Sequence, residues 1–445
     1  MAIGPRGEIF VLEPNMANCF FGSRCDATLK VARYGRNGAR DPVFGAAAKL
    51  EVTQHQYQDS DIAVGPDGKP VVAAIDGQEG VVVARFGQDG LPDAAFGRAG
   101  VTAPLGEAAG TPPVVAVQAD GKVVVAFEAS STVTFDPSGD FTRHGHLTLA
   151  RFLVDGTLDP SFGTAGKVTV DTDQSRPAGL AFRGGGGFDI GLSQCCMGAG
   201  GDGPTVAVNR FLSNGSLDPS LTSGGQALIP RPQGDAFIEA ISAAPGGRVY
   251  LVANEERRGS VAIRLLPDGR LDPSFGKGGE VVLGRRVGVA TNVTGISTDS
   301  AGRLVGVGHG ARAFRLLPDG RPDRTFGAGW GALIHHRGVN LNDSGFGLQP
   351  GDRMVVLVEV GFAAGRSYFL ARFNAGSSRV RCLGERATIV GTWEAQEIVG
   401  TQGRDVIAAM GGADTVRGMG GPDLICGGKG RDKIFGGAGK NLIRQ

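Results

Sequence analysis

The chain has 445 residues, 76 of them glycine, with 7% aromatic and 20% charged residues and a formal net charge of +1. That length exceeds one ordinary hydrophobic core, and the glycine content points to many tight turns rather than long helices. Near-neutrality argues against nucleic acid or another polyanion as partner, and no apolar run approaches the roughly 18 residues needed to span a membrane.

The chain begins Met1-Ala-Ile-Gly-Pro-Arg-Gly-Glu, inside what reads as the first strand of a repeating unit and without a signal peptide. From there two linked patterns recur. In the first, apolar alternation is broken by Asp-Gly, as in Ile62-Ala-Val-Gly-Pro-Asp67-Gly68-Lys-Pro-Val-Val-Ala and Val115-Ala-Val-Gln-Ala-Asp120-Gly121-Lys-Val-Val-Val-Ala. This is the strongest short-range hairpin signal. Looser copies at Ile3–Leu12, Leu180–Leu192, Ile241–Ala253, Ile296–Gly308 and Phe346–Val358 bring the hairpins to seven.

The second pattern is a strand, a turn and a proline-led corner. It is clearest in Ala150-Arg-Phe-Leu-Val-Asp155-Gly-Thr-Leu-Asp159-Pro-Ser-Phe-Gly163 and Ile263-Arg-Leu-Leu-Pro-Asp268-Gly-Arg-Leu-Asp272-Pro-Ser-Phe-Gly276, with copies from Ala32, Ala84, Asn209 and Phe314 and a clipped seventh at Ala371. A short strand such as Gly166-Lys-Val-Thr-Val follows most corners, so each unit reads as four antiparallel strands. Seven such units without helical periodicity predict an all-β fold, a seven-bladed β-propeller over 1–378. The Asp-Pro-Ser-Phe-Gly corner resembles the delta-60 repeat family, whose members are expected to be β-propellers. That resemblance covers about 1–375 and implies a shape without catalytic residues. The fourth corner departs from it, with Leu221 for Phe and Thr222 for Gly.

Six arginines each precede a corner aspartate by eight residues: Arg33 and Asp41, Arg85 and Asp93, Arg151 and Asp159, Arg210 and Asp218, Arg264 and Asp272, Arg315 and Asp323. A pairing common to all units is expected to be scaffold, a charge-assisted contact across the turn. Function is sought where the repeat breaks, at the insertions Pro14–Lys30, Ser130–His146 and Ser193–Pro204, which are expected to gather as loops on one rim. The second of these carries His144 and His146, a pair of the type that binds transition metals. His335-His336, His55 and His309 have no partner that sequence reveals. The six cysteines fit an oxidising compartment: Cys19 with Cys25 and Cys382 with Cys426 suit local bridges, and adjacent Cys195-Cys196 favour separate partners or free thiols. The seventh unit lacks its corner and last strand, which either an upstream segment or Arg379–Leu383 would supply.

Over 379–445 the period changes to nine. Gln396, Asp405, Asp414, Asp423, Asp432 and Asn441 mark it, with Gly400-Thr-Gln-Gly-Arg-Asp405, Ala409-Met-Gly-Gly-Ala-Asp414, Gly418-Met-Gly-Gly-Pro-Asp423, Gly427-Gly-Lys-Gly-Arg-Asp432 and Gly436-Gly-Ala-Gly-Lys-Asn441 between them. An apolar step follows each. Glycine turns, an acid and an apolar pair at this period describe a calcium-binding parallel β-roll, and the segment from about 390 resembles the hemolysin-type (RTX) calcium-binding repeat. Two nine-residue units make one turn of a roll, so Asp405 is expected to face the turn holding Asp423, and Asp414 that holding Asp432. The expected Ca²⁺ ligands are Asp405, Asp414, Asp423 and Asp432 with the turns of Gly400, Gly403, Gly412, Gly418, Gly421, Gly427 and Gly430, since Ca²⁺ takes six to eight oxygens from carboxylates, carbonyls and water. The thin core would be Val406, Ile407, Val416, Leu424, Ile425, Ile434, Leu442 and Ile443. Residues 400–445 hold four Asp against Arg404, Arg417, Lys429, Arg431, Lys433, Lys440 and Arg444, a net of +3, which weakens attraction for a cation.

No Gly-x-Ser-x-Gly elbow, His-Glu-x-x-His helix or phosphate loop is present, and Gly184–Gly187 follows no nucleotide-fold pattern. The expected protein is therefore a secreted, extracellular calcium binder whose propeller is a non-enzymatic platform for an unidentified ligand or protein at its rim. The rival readings are a hydrolase or lyase with a site in the axial channel, and a purely structural cell-surface protein.

Overall fold

The computed structural model describes residues 1–16, 25–54, 60–77, 80–106, 111–135, 141–172, 176–193, 205–231, 236–283, 292–308, 312–323, 326, 332–333, 341–362, 365–374, 381–387, 389–390 and 397–445. Two compact units divide the chain, Met1–Val281 and Val282–Gln445.

The first unit is built from five successive antiparallel sheets. They start at Ala2–Ile3, Ser60–Val64, Val114–Val117, Arg176–Phe182 and Ala236–Ala244, and each begins with the predicted hairpin. In the third sheet Val117 pairs with Val123 across the turn, where Gln118 N–H donates to Lys122 O at 2.8 Å and Gly121 N–H to Gln118 O at 2.9 Å. Its other strands are Val123–Phe135, Phe141–Phe152 and Lys167–Thr172. Both faces of the inner strands are buried, so alternate residues enter different cores. Val71, Ala73 and Val83 pack with Val125 and Phe152, whereas Val72 and Ala84 pack with Val31 and Phe44. Side-chain alternation thus joins each sheet to both neighbours, and no sheet in the series buries its faces alone.

The corners do the joining at the ends of the strands. Arg33, Arg85, Arg151 and Arg264 bind Asp41, Asp93, Asp159 and Asp272 at 2.6, 2.8, 2.9 and 2.9 Å. Each guanidinium also lies over the corner phenylalanine, at 4.5 Å from Phe44, 4.5 Å from Phe96, 4.6 Å from Phe162 and 4.8 Å from Phe275. Held there, Arg33 donates to Gln88 O, and Arg151 to Ser213 O, both in the turn of the following sheet. Gly97 N–H and Gly163 N–H reach Asp155 O and Asn214 O in the same direction, at 2.7 and 2.8 Å. The corner is therefore a clasp between neighbours, a role its own sequence window does not disclose. A second cation from the hairpin turn completes it: Lys69 on Asp93, Lys122 on Asp159 and Arg248 on Asp272. Burial works to raise the Asp272 carboxyl, but Ser274, Arg264 and Arg248 win and hold it at about 2.

The fourth sheet corrects the expectation of six equal pairs. Arg210 binds Asp189 at 2.7 Å, and Asp218 is taken by Arg183 at 3.2 Å. Asp189 stands directly opposite Arg210 in the strand register, where the third sheet has Val124 opposite Arg151, and Leu221 replaces the corner ring that would hold the guanidinium. Asp189 is fully buried, and burial pushes its carboxyl up against the pull of Arg210.

The insertions also differ from expectation. Within the described residues two of them lengthen strands: Ile9–Met16 pairs with Cys25–Tyr34, and the Val123–Phe135 and Phe141–Phe152 pairing continues to Phe135 and Phe141 past a bulge, the tips 17–24 and 136–140 lying outside the described residues. Long cross-strand pairing satisfies backbone polar groups that a loop would leave to water. His146 accordingly sits on a strand, with its Nδ1 2.7 Å from Asp171 Oδ1. The side chain of His144, the third insertion from residue 194, Cys19, Cys195, Cys196, the side chain of Cys25, His55, His309, His335 and His336 lie outside the described residues.

In the second unit, the strands Val293–Thr298, Leu304–Gly308, Arg312–Leu316 and Ala332–Leu333 form one antiparallel sheet, and Leu341–Gln349, Arg353–Phe362 and Gly365–Asn374 another. Arg315 repeats the clasp with Asp323 at 2.8 Å, beneath Phe326 at 4.9 Å. Arg381–Cys382, within the segment that was one of the two alternatives for the missing strand, pairs with Glu385–Arg386, with Leu383 and Gly384 at positive φ between them. The nine-residue repeats follow.

Candidate metal centre

Seven short strands make two parallel sheets. Ile389–Val390, Val406–Ala408, Leu424–Cys426 and Leu442–Arg444 form one, and Glu397–Val399, Thr415–Arg417 and Lys433–Phe435 the other. Partners lie 18 residues apart, Val406 with Leu424 and Thr415 with Lys433, as two nine-residue steps per turn require. The middle residue of each triplet points inward, giving a core of Ile398, Ile407, Val416 and Ile425 with Ile434 against it. Leu442 and Ile443, expected in that core, lie on the outermost strand of their sheet and are 57% and 44% exposed.

The aspartates sit on the turns between the sheets, and the stacking brings them together as the spacing predicts. Asp423 Oδ1 accepts the Asp405 N–H at 2.9 Å, Asp432 Oδ1 accepts the Asp414 N–H at 2.9 Å, and Asn441 Oδ1 accepts the Asp423 N–H at 2.9 Å. Asp405, Asp414 and Asp423 are buried, while Asp432 is half-buried. The second carboxylate oxygens differ. Asp405 Oδ2 accepts the Thr401 amide at 2.6 Å and its hydroxyl at 3.0 Å. Asp423 Oδ2 is buried without a hydrogen-bond partner. Burial pushes the Asp423 carboxyl up, and the Asp405 charge adds to this. A buried, uncompensated carboxylate oxygen is costly unless a cation completes it.

Glycine makes the oxygen cluster sterically feasible. A Cβ on Gly418 would stand 2.5 Å from Gly436 O and 2.6 Å from Asp423 Oδ2, and one on Gly400 2.5 Å from Gly418 O and 2.8 Å from Asp405 Oδ2. Gly427 bears the same relation to Asp432. Gly412, Gly421 and Gly430 turn the chain at φ 99°, 102° and 140°, and Gly403 lies directly against Gly421 of the next turn. Among the described residues no group of three or more His, Cys, Asp or Glu gathers to hold a metal. Backbone carbonyls must therefore supply most of any coordination shell, which suits a hard, oxygen-seeking ion such as Ca²⁺.

Three features escaped the sequence reading. Met410 and Met419 adopt φ 76° and 74°, where the later units place Gly428 and Gly437 at 94° and 79°. A side chain in this region costs about 1–2 kcal/mol, against roughly 0.5–1 kcal/mol of extra chain entropy for glycine. Met419→Gly is therefore expected to stabilise the roll by about 0.5–1 kcal/mol, read as slower amide exchange across 415–430. Second, Arg404 and Arg417 are engaged by Glu385 at 2.7 Å and Glu397 at 3.0 Å, acids upstream of the window in which charge was counted. Third, the Gly436 carbonyl, in the last turn, faces the same point above Gly418 as Asp423 Oδ2 does. The Cys382 and Cys426 pairing is as expected, with Cα atoms 5.6 Å apart.

Residues 390–425 and 418–444 match the model of the RTX calcium-binding nonapeptide repeat, and residues 138–162 match that of the domain of unknown function (DUF5122) beta-propeller. No curated protein matches the chain significantly. Among solved structures the chain is similar to the GH74 xyloglucanase from Xanthomonas campestris, at 15% identity over 81% of this chain and 50% of that one, with a TM-score of 0.39. It thus spans half the length of that enzyme. Drosophila Plexin A in complex with Semaphorin 1b gives 12% identity, 80% and 86% coverage and a TM-score of 0.39. The Aleuria aurantia lectin AAL gives 13%, 72% and 97%, and 0.33. No helix among the described residues is long and apolar enough to cross a membrane, and RTX repeats are typical of secreted proteins. The chain is all-β, a β-propeller followed by RTX calcium-binding nonapeptide repeats wound as a parallel β-roll.

Proposed function

We propose that this is an extracellular calcium-binding protein in which a non-enzymatic propeller of seven blades, over 1–378, presents a ligand or partner surface. The roll over 379–445 folds around Ca²⁺. The ion is held by Asp405, Asp414, Asp423 and Asp432 with carbonyls from the turns of Gly400, Gly403, Gly412, Gly418, Gly421, Gly427 and Gly430. The observation that carries this reading is Asp423 Oδ2, buried and unpartnered beside the Gly436 carbonyl. Charge and geometry there fit a divalent cation and little else. Ca²⁺ supplies the positive charge that lets the stacked carboxylates stay ionised, and the protein supplies the register.

A ligand role for the propeller is supported by a cleft of about 520 Å³ between the third and fourth sheets, lined by Gln118, Asp120, Lys122, Ser161, Ser213 and Asn214. Gln118 reaches across it to Gly186 O at 3.0 Å, and its own Oε1 is buried without a partner. Donors and acceptors both line the cleft, which suits a small polar ligand.

The test is hydrogen exchange on the full chain. Raising free Ca²⁺ from chelator to millimolar is expected to protect amides across 400–445 at least tenfold, by linkage, with equal Mg²⁺ far less effective because it prefers a tight octahedral shell. Unchanged exchange with calcium would remove the assignment.

A further inference from the structure

We propose that the Cys382–Cys426 disulfide sets the calcium threshold of the roll, so that oxidation lets it fold at lower free Ca²⁺. This rests on the calcium reading above and adds a second input to it.

The placement of the bond carries the argument. Cys382 is fully buried against Val406, Ala408 and Leu424. Cys426 ends the strand that begins one residue after Asp423, and it pairs with Ala408, on the strand that begins one residue after Asp405. The Ala409 N–H donates to Cys426 O at 2.8 Å, closing the next turn onto the same residue. The bond therefore pins the strand that issues from Asp423 to Cys382, which itself packs on Val406 and Ala408 of the strand that issues from Asp405, before any ion arrives. Its 44-residue loop contains Asp405, Asp414 and Asp423, and only Asp432 and Asn441 lie beyond it.

A covalent loop of that length removes chain freedom from the unfolded roll worth about 800-fold in the folding equilibrium. Calcium works on the same equilibrium through mass action. Taking one ion for each stacked pair, Asp405 with Asp423 and Asp414 with Asp432, bound together, the free Ca²⁺ at half-folding shifts by the square root of that factor, about 30-fold. Reduction by a dithiol reverses the effect. Two electrons and two protons pass to the bond, which breaks into two thiols as the dithiol closes its own disulfide. Cys382 then no longer holds the strand of Asp423, and ions alone must gather the turns.

The experiment follows exchange of 400–445 against free Ca²⁺ in the full chain, oxidised, reduced with dithiothreitol, and as the Cys382→Ala/Cys426→Ala variant. Alanine keeps the apolar pocket free of a buried hydroxyl. The expected result is a half-protection concentration about tenfold to 30-fold higher in the reduced protein and in the variant, with the variant indifferent to reductant. Equal midpoints in all three samples would overturn the threshold while leaving calcium binding intact. A midpoint that moves with reductant in the variant would assign the effect to other cysteines and also overturn it. Absence of any calcium response, oxidised or reduced, would instead sink the calcium reading itself.

Discussion

Asp423→Asn is expected to make the roll steadier in chelator and a poorer calcium binder, two changes of opposite sign from one atom. The asparagine keeps an Oδ1 to accept the Asp405 N–H, as Asn441 does for the Asp423 N–H. What disappears is the charge on a fully buried carboxylate whose Oδ2 has no partner. Leaving a charged group in that state costs about 1–3 kcal/mol, so amide exchange across 415–430 in chelator should slow roughly tenfold. With calcium the balance reverses, because the substituted turn offers a neutral amide where the ion had a carboxylate. The half-protection concentration should rise at least tenfold, on the order of one lost charged ligand. Asp423→Ala separates the two roles: it also removes the acceptor for Asp405, and should be less stable in chelator than Asn. If Asp423→Asn leaves the calcium midpoint unchanged, the ion is not bound there.

A second large effect belongs to the first unit. Phe162→Ala is expected to cost about 3–5 kcal/mol and to lower the unfolding midpoint more than a similar truncation in a single-sided core. The ring is fully buried, carries the Arg151 guanidinium at 4.6 Å and packs against Phe188 of the next sheet. It also receives Gly215, at φ 87°, where any Cβ would stand 2.8 Å from the ring edge. Removing it frees Arg151 to leave Ser213 O, so the loss spans two sheets. Phe162→Leu keeps part of the apolar volume and should cost less than alanine, roughly 1–2 kcal/mol. Thermal unfolding of the three proteins checks this. Equal midpoints for alanine and leucine would show that the clasp depends on charge alone.

How much of this was legible in advance follows from which interactions are local. Asp-Gly turns and period-two apolar runs announce hairpins, because turn geometry and side-chain alternation are properties of neighbouring residues. The stacking of Asp405 on Asp423 was legible for the same reason, since an 18-residue step is fixed by the repeat. What required the structure was every contact that a residue makes with a unit not its own. Arg151 showed its partner Asp159 at a constant offset, but nothing in the chain marks Ser213 O as its other end. Arg210 was misread because an offset records opportunity, and the ring that enforces the pairing had been replaced by Leu221. The insertion carrying His146 was read as loop because it breaks the repeat between two strands, whereas cross-strand pairing carries the hairpin out to Phe135 and Phe141. Met410 and Met419 were invisible as strained positions, since a side chain says nothing of φ until its turn is stacked.

Burial along the roll runs in one direction. Asp405 and Asp423 are enclosed next to the disulfide, Asp432 is half-open, and Phe435, Leu442 and Ile443 are 51%, 57% and 44% exposed. Each new coil needs the preceding one as a template, so ordering starts from the covalently pinned end as crystal growth starts from a seed. Amide exchange is therefore expected to be slowest around Ile407 and Ile425 and fastest around Leu442.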